Sequence, residues 1–173
     1  MDRRQIALKL TLDALGLPFE IDSFTGRLIL QKAVYLAQEK GVHLGYYYSW
    51  YLYGPYAPTL TRDIYDIKSE LDEDFDESQG WELDEDSQQR LKPLAQLLAK
   101  YRDRSQLARK LELLASVHFI VKRKQVRDNS PHAIEEKLKA FNKDFTEKEI
   151  AEALKELENY GLLSGGGRRQ NNR

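Results

Sequence analysis

The sequence predicts a mainly α fold, a compact multi-helix domain around one buried central helix, with a small aromatic β element. Apolar residues recur at helical spacing along most of the chain, and a stretch at 46–56 breaks this period with residues that favour strands. The 173 residues are 41% hydrophobic and 32% charged. This composition is sufficient for a hydrophobic core and too apolar for a disordered chain. We therefore expect a single domain over residues 1–163.

The first two helices follow from the spacing of their apolar residues. Ile6, Leu10 and Ala14 fall four apart, which predicts a helix over about 2–16 that ends at Gly16. The next helix, at about 26–40, is apolar over most of its circumference, with Leu28, Leu30, Ala33, Val34, Leu36 and Ala37. A helix that is apolar on so many sides is buried. We expect this helix at the centre of the fold.

The segment after the central helix predicts the β element. Residues 46–54 are rich in aromatic side chains, which favour extended backbone, and Gly54-Pro55 signals a turn. We expect one short extended segment that ends in this turn. Pro58 then suits the first turn of a helix that reaches about residue 71.

The C-terminal half of the chain predicts further helices, at about 86–103, at 105–124, from Pro131 onward and from 146 to 160. Ser130 is typical of an N-cap. Residues Thr146 to Glu149 form a capping box, and Gly161 suits the left-handed residue that ends a helix. Residues 164–173 are polar and rich in glycine, which predicts a disordered tail.

An aromatic cluster occupies the β element. Two interpretations of it remain open. The rings could pack on the central helix, or they could form an exposed interface, since Tyr and Trp are frequent at interface hot spots. Successive side chains of an extended segment point to opposite faces, so these rings cannot all be buried on one side. The candidate partner-binding residues are Tyr46, Tyr47, Tyr48, Trp50, Tyr51, Tyr53 and Tyr56.

Charge is unevenly distributed, although the net charge is only −1. Residues 70–86 carry ten acidic side chains and no basic one, and we expect residues 72–86 to form a surface loop with at most a short strand at 81–83. Residues 90–127 carry eleven basic and two acidic side chains. These basic residues either solvate the outer faces of helices or form an anion-binding face for nucleic acid or an acidic protein. The basic face would contain Lys100, Arg102, Arg104, Arg109, Lys110, Lys122, Arg123, Lys124 and Arg127.

Residue patterns for catalysis or metal binding are weak. Asp72, Asp74 and Asp76 resemble the start of a calcium loop, but Glu77 stands where glycine is needed and Leu83 where the bidentate glutamate is needed. We expect no metal, no cofactor and no enzymatic activity.

The residue content excludes several further classes of protein. The chain has no cysteine, which excludes disulfide scaffolds and thiol catalysis. His118 lies in an apolar helix and is expected to be a hydrogen-bonded core residue rather than a catalytic base. No apolar run approaches about 18 residues, and the N-terminal segment is not that of a signal peptide. We expect a cytoplasmic protein that does not bind membranes.

Two runs of the sequence resemble a known family. They are Gly26 to Gln38, which contains Leu-Gln-Lys-Ala-Val-Tyr-Leu, and Trp50 to Pro58, which contains Tyr-Gly-Pro-Tyr-Ala-Pro. The combination resembles the Panacea domain of SocA-like antitoxins and, more closely, the YwgA-type bacterial proteins. The resemblance covers residues 6–65 clearly and the later helices only in outline. The motif positions are Leu30, Gln31, Lys32, Tyr35, Tyr53, Gly54, Pro55 and Pro58.

The resemblance implies a helical domain that acts by binding protein. Antitoxins of this group are thought to neutralise toxins by direct contact or to deliver them to a protease as adaptors. We therefore expect a non-catalytic interaction module, with a toxin from an adjacent gene as a candidate partner. The alternative is a nucleic-acid-associated regulator that uses the basic helices at 90–127. We also expect Gln31 and Lys32, polar groups on an apolar helix, to bind backbone groups of the aromatic turn.

Overall fold

The computed structural model describes residues 1–164, and the predicted tail lies outside them from residue 165 onward. The described residues form seven helices and one two-stranded sheet, which confirms the mainly α fold with a small β element. In chain order they are α1 (Arg3–Ala14), α2 (Phe24–Glu39), β1 (Ser49–Tyr51), β2 (Gly54–Tyr56), α3 (Pro58–Asp72), α4 (Glu85–Leu98), α5 (Arg104–Lys122), α6 (Pro131–Ala140) and α7 (Glu147–Asn159). Among these helices, none combines the length and the apolar character that crossing a membrane requires.

Helix α2 is the buried central helix that the sequence predicts. The side chain of Ser23 caps it by accepting a hydrogen bond from the Gly26 N–H at 2.9 Å. All nine residues from 29 to 37 are buried, including the polar pair Gln31 and Lys32. Buried polar side chains need partners, so the partners of this pair identify what packs against α2.

The aromatic β element is a hairpin rather than one extended segment. Strands β1 and β2 are antiparallel, with Ser49 opposite Tyr56 and Tyr51 opposite Gly54. The chain reverses direction at residues 52–53, before the point where the Gly-Pro pair was expected to end the segment. Gly54 has φ +89°, a left-handed conformation that glycine adopts without strain. The expectation of a single strand was therefore wrong, because Gly54-Pro55 begins the second strand.

Helix α3 begins at Pro58, as predicted, and the acidic segment after it contains no strand. Residues 73–84 connect α3 to α4 without regular pairing, so the short strand considered at 81–83 is absent. Glu70 accepts a hydrogen bond from the amino group of Met1 at 2.9 Å, and Asp76 lies 3.8 Å from Lys9 Nζ. Two acidic residues of 70–86 therefore form ion pairs with basic groups near the start of the chain.

Residues 99–103 separate helices α4 and α5. The prediction that α4 extends to about residue 103 was therefore wrong. Asp103 explains the break, because its side chain accepts a hydrogen bond from the Gln106 N–H at 2.8 Å and so caps a new helix. The chain divides into two compact units within α5, one of residues 1–116 and one that begins at Val117. The single domain expected over residues 1–163 stays a prediction.

The second unit is built on α6 and α7. Ser130 caps α6 and the Thr146–Glu149 capping box begins α7, both as predicted. Gly161 follows α7 with φ +69°. His118 Nε2 lies 3.0 Å from the Leu162 carbonyl oxygen and its side chain is buried, which confirms the expected hydrogen-bonded core histidine. The buried apolar residues of the two helices are Ile134, Leu138, Ile150, Ala153 and Leu157.

The close approach of Gly54 to Ser116 gives a stability prediction. A Cβ atom at position 54 would lie 2.4 Å from Ser116 Oγ, whereas one at Gly45, which also has positive φ, would meet nothing within 4 Å. Both Gly→Ala changes introduce left-handed strain of about 1–2 kcal/mol, and only Gly54→Ala adds the clash. We expect Gly54→Ala to lower the free energy of unfolding more than Gly45→Ala does, as measured by urea denaturation.

A second substitution, at Ser116, separates the stability cost of the clash from the cost of the backbone strain. Ser116 Oγ is buried and has no hydrogen-bond partner among the described residues, so Ser116→Ala removes the obstructing oxygen without breaking a bond. In Gly54→Ala/Ser116→Ala we expect a coupling of about 0.5–3 kcal/mol in the stabilising direction. Equal costs at positions 54 and 45, with no recovery in the double variant, would show that the contact does not constrain the hairpin.

Candidate functional site

The structure divides the aromatic residues of segment 46–56 into inward and outward rings. Tyr46 is only 5% exposed, whereas its neighbour Tyr47 is 92% exposed. Further along, Tyr51 and Tyr53 are exposed, while the remaining rings of the predicted set, those of Tyr48, Trp50 and Tyr56, are half-buried. The structure therefore shows that some of these rings pack inward and others are exposed, and an interface role for the exposed rings stays a prediction.

Tyr46 belongs to a buried polar cluster rather than to an exposed interface. Its hydroxyl donates a hydrogen bond to Asp63 Oδ2 at 2.7 Å, and Arg4 Nε donates to the same oxygen at 2.9 Å. The guanidinium of Arg4 also lies over the Tyr46 ring, 5.1 Å from its centroid. Burial, together with the Asp63 carboxylate, raises the pKa of Tyr46, so the phenol stays protonated and remains a donor. Tyr46 thus joins α1, α3 and the segment that leads into β1.

Tyr48 packs on the central helix. Its hydroxyl donates a hydrogen bond to the Gln31 carbonyl oxygen at 3.1 Å, and its ring meets Tyr35 edge-on with centroids 5.0 Å apart. Burial raises the pKa of the Tyr48 phenol well above its usual value. Tyr48 is therefore fixed to α2 both by its hydroxyl and by its ring.

Two glutamines of α2 hold the two ends of the aromatic segment. Gln31 Nε2 donates to the Ala57 carbonyl oxygen at 2.9 Å, and its Oε1 accepts from the Ala57 N–H at 3.1 Å. Gln38 pairs in the same way with Tyr46, with both distances 2.9 Å. The glutamines are seven residues apart, two turns along one face of the helix. We call this arrangement the glutamine clamp.

Lys32 adds a third contact between α2 and the backbone of the hairpin. Its side chain is 2% exposed, and Nζ donates a hydrogen bond to the Pro55 carbonyl oxygen at 2.6 Å. Pro55 lies opposite Trp50 in the hairpin and has no N–H to donate. The contacts expected of Gln31 and Lys32 with the backbone around the turn are therefore present.

The outward aromatic rings surround a groove between α2, the hairpin and α3. Its volume is about 280 Å³. The groove is lined by Phe24, Arg27, Leu28, Gln31, Lys32, Tyr51, Leu52, Tyr53, Tyr56, Thr61 and Tyr65. Five of these eleven residues are aromatic, and none of them is acidic. We call this feature the aromatic groove.

A chain of hydrogen bonds ends at a hydroxyl in the aromatic groove. Gln31 Nε2 donates to Thr61 Oγ1 at 2.8 Å, and Thr61 Oγ1 donates to the Tyr56 hydroxyl oxygen at 2.9 Å. The phenol proton of Tyr56 has no acceptor among residues 1–164 and can be donated to a bound group. The groove therefore offers a positioned donor beside its apolar walls.

Sequence reasoning missed about half of the groove. Phe24, Arg27, Leu28, Leu52, Thr61 and Tyr65 were not among the candidate residues. A signal for some of them is present, because Phe24 and Leu28 are four apart on α2 and Thr61 and Tyr65 are four apart on α3. The sequence does not show that these two pairs face each other.

Most of the predicted basic face is exposed. Seven of its nine side chains are exposed, and Arg104 and Lys110 are half-buried. Arg104 forms an ion pair with Glu20 at 2.8 Å. Lys122, Arg123, Lys124 and Arg127 belong to the second unit, whereas the remaining five basic residues belong to the first.

One cluster in the second unit has the composition of a metal site. Ligand atoms of His132, Glu135 and Glu147 all lie within 4.8 Å of one another. His132 Nδ1 already lies 2.7 Å from Glu147 Oε1, and this hydrogen bond raises the pKa of His132. Glu135 is bonded to Lys139 at 2.8 Å. Both His132 and Glu147 are exposed, so a surface ion pair accounts for the arrangement.

Comparison with known proteins adds no relative. No family model, no curated protein and no solved structure matches the chain. The resemblance to the Panacea domain is therefore carried by its motif residues alone and stays a prediction.

The glutamine clamp gives a second stability prediction. Truncating Gln31 or Gln38 to alanine leaves a buried or half-buried backbone N–H and C=O without partners, which we expect to lower the free energy of unfolding by about 1–3 kcal/mol each. Gln31→Ala should cost more, because Gln31 also holds Thr61 and is the more buried of the two. Lys32→Met should lower it by about 1–3 kcal/mol, because the buried Pro55 carbonyl oxygen loses its donor. Chemical denaturation measures each change.

Gln96→Ala is the matched control for the clamp variants. Gln96 is an exposed glutamine within α4, so its replacement removes no buried contact. Alanine also favours helix over glutamine slightly, so a loss at positions 31 and 38 does not arise from helix propensity. Unchanged stability in Gln31→Ala and Lys32→Met would mean that these residues do not brace the hairpin.

Proposed function

We propose that this chain is a cytoplasmic, non-catalytic protein-interaction module that binds its partner through the aromatic groove and the hairpin beside it. The observation that carries the proposal is a continuous group of exposed apolar side chains on three neighbouring elements. Its members are between 45% and 67% exposed, and they are Phe24, Tyr51, Leu52, Tyr53 and Tyr65. Exposed apolar groups that cluster in this way are typical of interaction sites.

Contacts among the exposed side chains support the proposal. The rings of Phe24 and Tyr53 lie 4.9 Å apart, and those of Tyr51 and Tyr56 lie 5.5 Å apart. Tyrosine gives a large contact area and a polar tip, which suits a surface that is wet when free and buried when bound. The rings therefore form two contacting pairs that line the same groove.

The glutamine clamp supports the same proposal from below the surface. It holds the hairpin by backbone atoms at both ends, so the outward rings are positioned before a partner arrives. A surface that is already ordered loses less conformational entropy on binding. This arrangement favours a binding module over a structural packing role for the outward rings.

The more specific part of the proposal is an antitoxin role. It rests on the resemblance of the α2 and hairpin motifs to those of the Panacea domain. On this reading the partner is a toxin encoded by an adjacent gene, which the chain neutralises by direct binding or delivers to a protease as an adaptor.

The proposal is tested by binding to the product of the adjacent gene. We expect the purified full chain to bind this protein, and we expect the double variant Leu52→Ser/Tyr53→Ser to weaken binding at least about tenfold, since hot-spot side chains each contribute more than 1 kcal/mol. Isothermal calorimetry measures the affinity. In the antitoxin case the same variant should also fail to rescue growth when the partner is expressed.

Phe75→Ser and Trp81→Ser are the matched controls. Both residues are exposed to a similar degree, at 56% and 58%, but belong to the acidic segment and not to the groove. These variants should bind the partner as the wild type does. If the groove variant binds as tightly as the controls, or if the wild type does not bind the adjacent gene product, the proposal fails in this form.

The alternative proposal is a nucleic-acid-associated regulator that uses the basic helices. Its support is the exposure of seven of the nine basic side chains. An acidic segment in the same chain and a net charge of −1 weigh against general binding to polyanions.

A salt titration separates the two proposals. Fluorescence anisotropy of a labelled DNA duplex should show no binding at about 50 mM salt if the chain is solely a protein-interaction module. Binding that weakens steeply with ionic strength, and that is reduced in Lys122→Gln/Lys124→Gln, would support the alternative, because phosphate contacts release counterions. Arg62→Gln, an exposed arginine on α3 outside the basic face, is the control.

A further inference from the structure

The guanidinium of Arg27 indicates which charge the occupant of the aromatic groove carries. Arg27 and Lys32 line the groove, and none of its lining residues is acidic. We propose that the groove takes a segment of the partner in which a bulky apolar side chain stands next to a carboxylate. This inference rests on the proposed protein-binding function and names the chemistry of the bound segment.

The size and walls of the groove suit one apolar side chain. Its volume of about 280 Å³ lies at or below the lower end of pockets for small molecules, about 300–1,000 Å³. Phe24, Leu28 and Tyr65 line it from the two helices, and the hairpin rings close the other side. Such walls favour an aromatic or branched aliphatic group, since burial of apolar surface contributes about 25 cal/mol per Å².

Arg27 is placed to bind the carboxylate. Its Nη1 donates to the Ile21 carbonyl oxygen at 2.7 Å and to that of Asp22 at 3.3 Å, which orients the guanidinium. The other guanidinium N–H groups have no partner among the described residues, and an arginine edge of this kind matches a carboxylate with two parallel hydrogen bonds. The phenol proton of Tyr56 supplies a further donor.

The same charges exclude other occupants. An aromatic pocket without a fixed cation would suit a quaternary ammonium group, but the guanidinium of Arg27 repels a positive ligand. Residues 165–173 of this chain contain three arginines and no acidic residue, so they carry the wrong charge for the groove. The positive charge of Arg27 therefore favours an acidic segment over a basic one.

Two small probes that differ only in charge test this inference. N-acetyl-phenylalanine carries the apolar ring and a carboxylate, and N-acetyl-phenylalaninamide carries the same ring without the charge. We titrate the full chain with each probe up to about 20 mM, a range suited to millimolar dissociation constants, and follow amide shifts by NMR. The acid should bind at least fivefold more tightly than the amide, with the largest shifts in α2 and the hairpin.

Variants of Arg27 assign the preference to this side chain. Arg27→Gln should bring the acid and the amide to equal affinity, and Arg27→Lys should restore part of the preference. Arg102→Gln, an exposed arginine outside the groove, should leave it unchanged. Saturating acid should also reduce the affinity for the partner protein.

Specific results in these experiments would contradict the inference about the groove. The inference is wrong if the amide binds as tightly as the acid, if neither probe shifts the groove resonances, or if Arg27→Gln keeps the preference. Partner binding that is unaffected by saturating acid would show that the groove takes a free acid and not a partner segment. Failure of the wider proposal would appear instead as equal partner affinity in Leu52→Ser/Tyr53→Ser and the wild type.

Discussion

The pairing of two glutamine amides with main-chain groups is the interaction on which the candidate site depends. Gln31 and Gln38 each satisfy both the N–H and the C=O of one residue, Ala57 and Tyr46, as a neighbouring strand would. A buried peptide group without a partner costs free energy comparable to a lost hydrogen bond. Helix α2 thereby holds both ends of the non-helical segment 46–57 by main-chain atoms.

Between the two anchors the start of β2 lies close to α2 and to Ser116. Lys32 takes the Pro55 carbonyl oxygen, and Gly54 lies so near Ser116 that a side chain would not fit. With the inner side of the hairpin occupied in this way, Tyr51, Leu52 and Tyr53 have no buried position available and face solvent. The exposed apolar surface is therefore a consequence of how the polar residues of α2 hold the backbone.

Local patterns predicted much of this structure, and tertiary packing decided the rest. The burial of α2, the start of α3 at Pro58 and the capping box of α7 each depend on residues within one or two turns of each other, so periodicity and capping rules sufficed. The hairpin was missed because a Gly-Pro pair can end one strand or begin another. Tyr46 was grouped with the exposed rings because its partner, Asp63, lies 17 residues away on α3.

The sequence by itself determined the helical class, the central helix and the polar pair Gln31 and Lys32 that had to find backbone partners, since a buried polar side chain on an apolar helix requires them. Only the tertiary structure decided which rings are buried, that α2, the hairpin and α3 enclose one groove, and that Arg27 lines this groove together with no acidic residue. The reason is that strand alternation assigns rings to two faces without saying which face meets the core. That choice is made by long-range hydrogen bonds, whose partners no local pattern reveals.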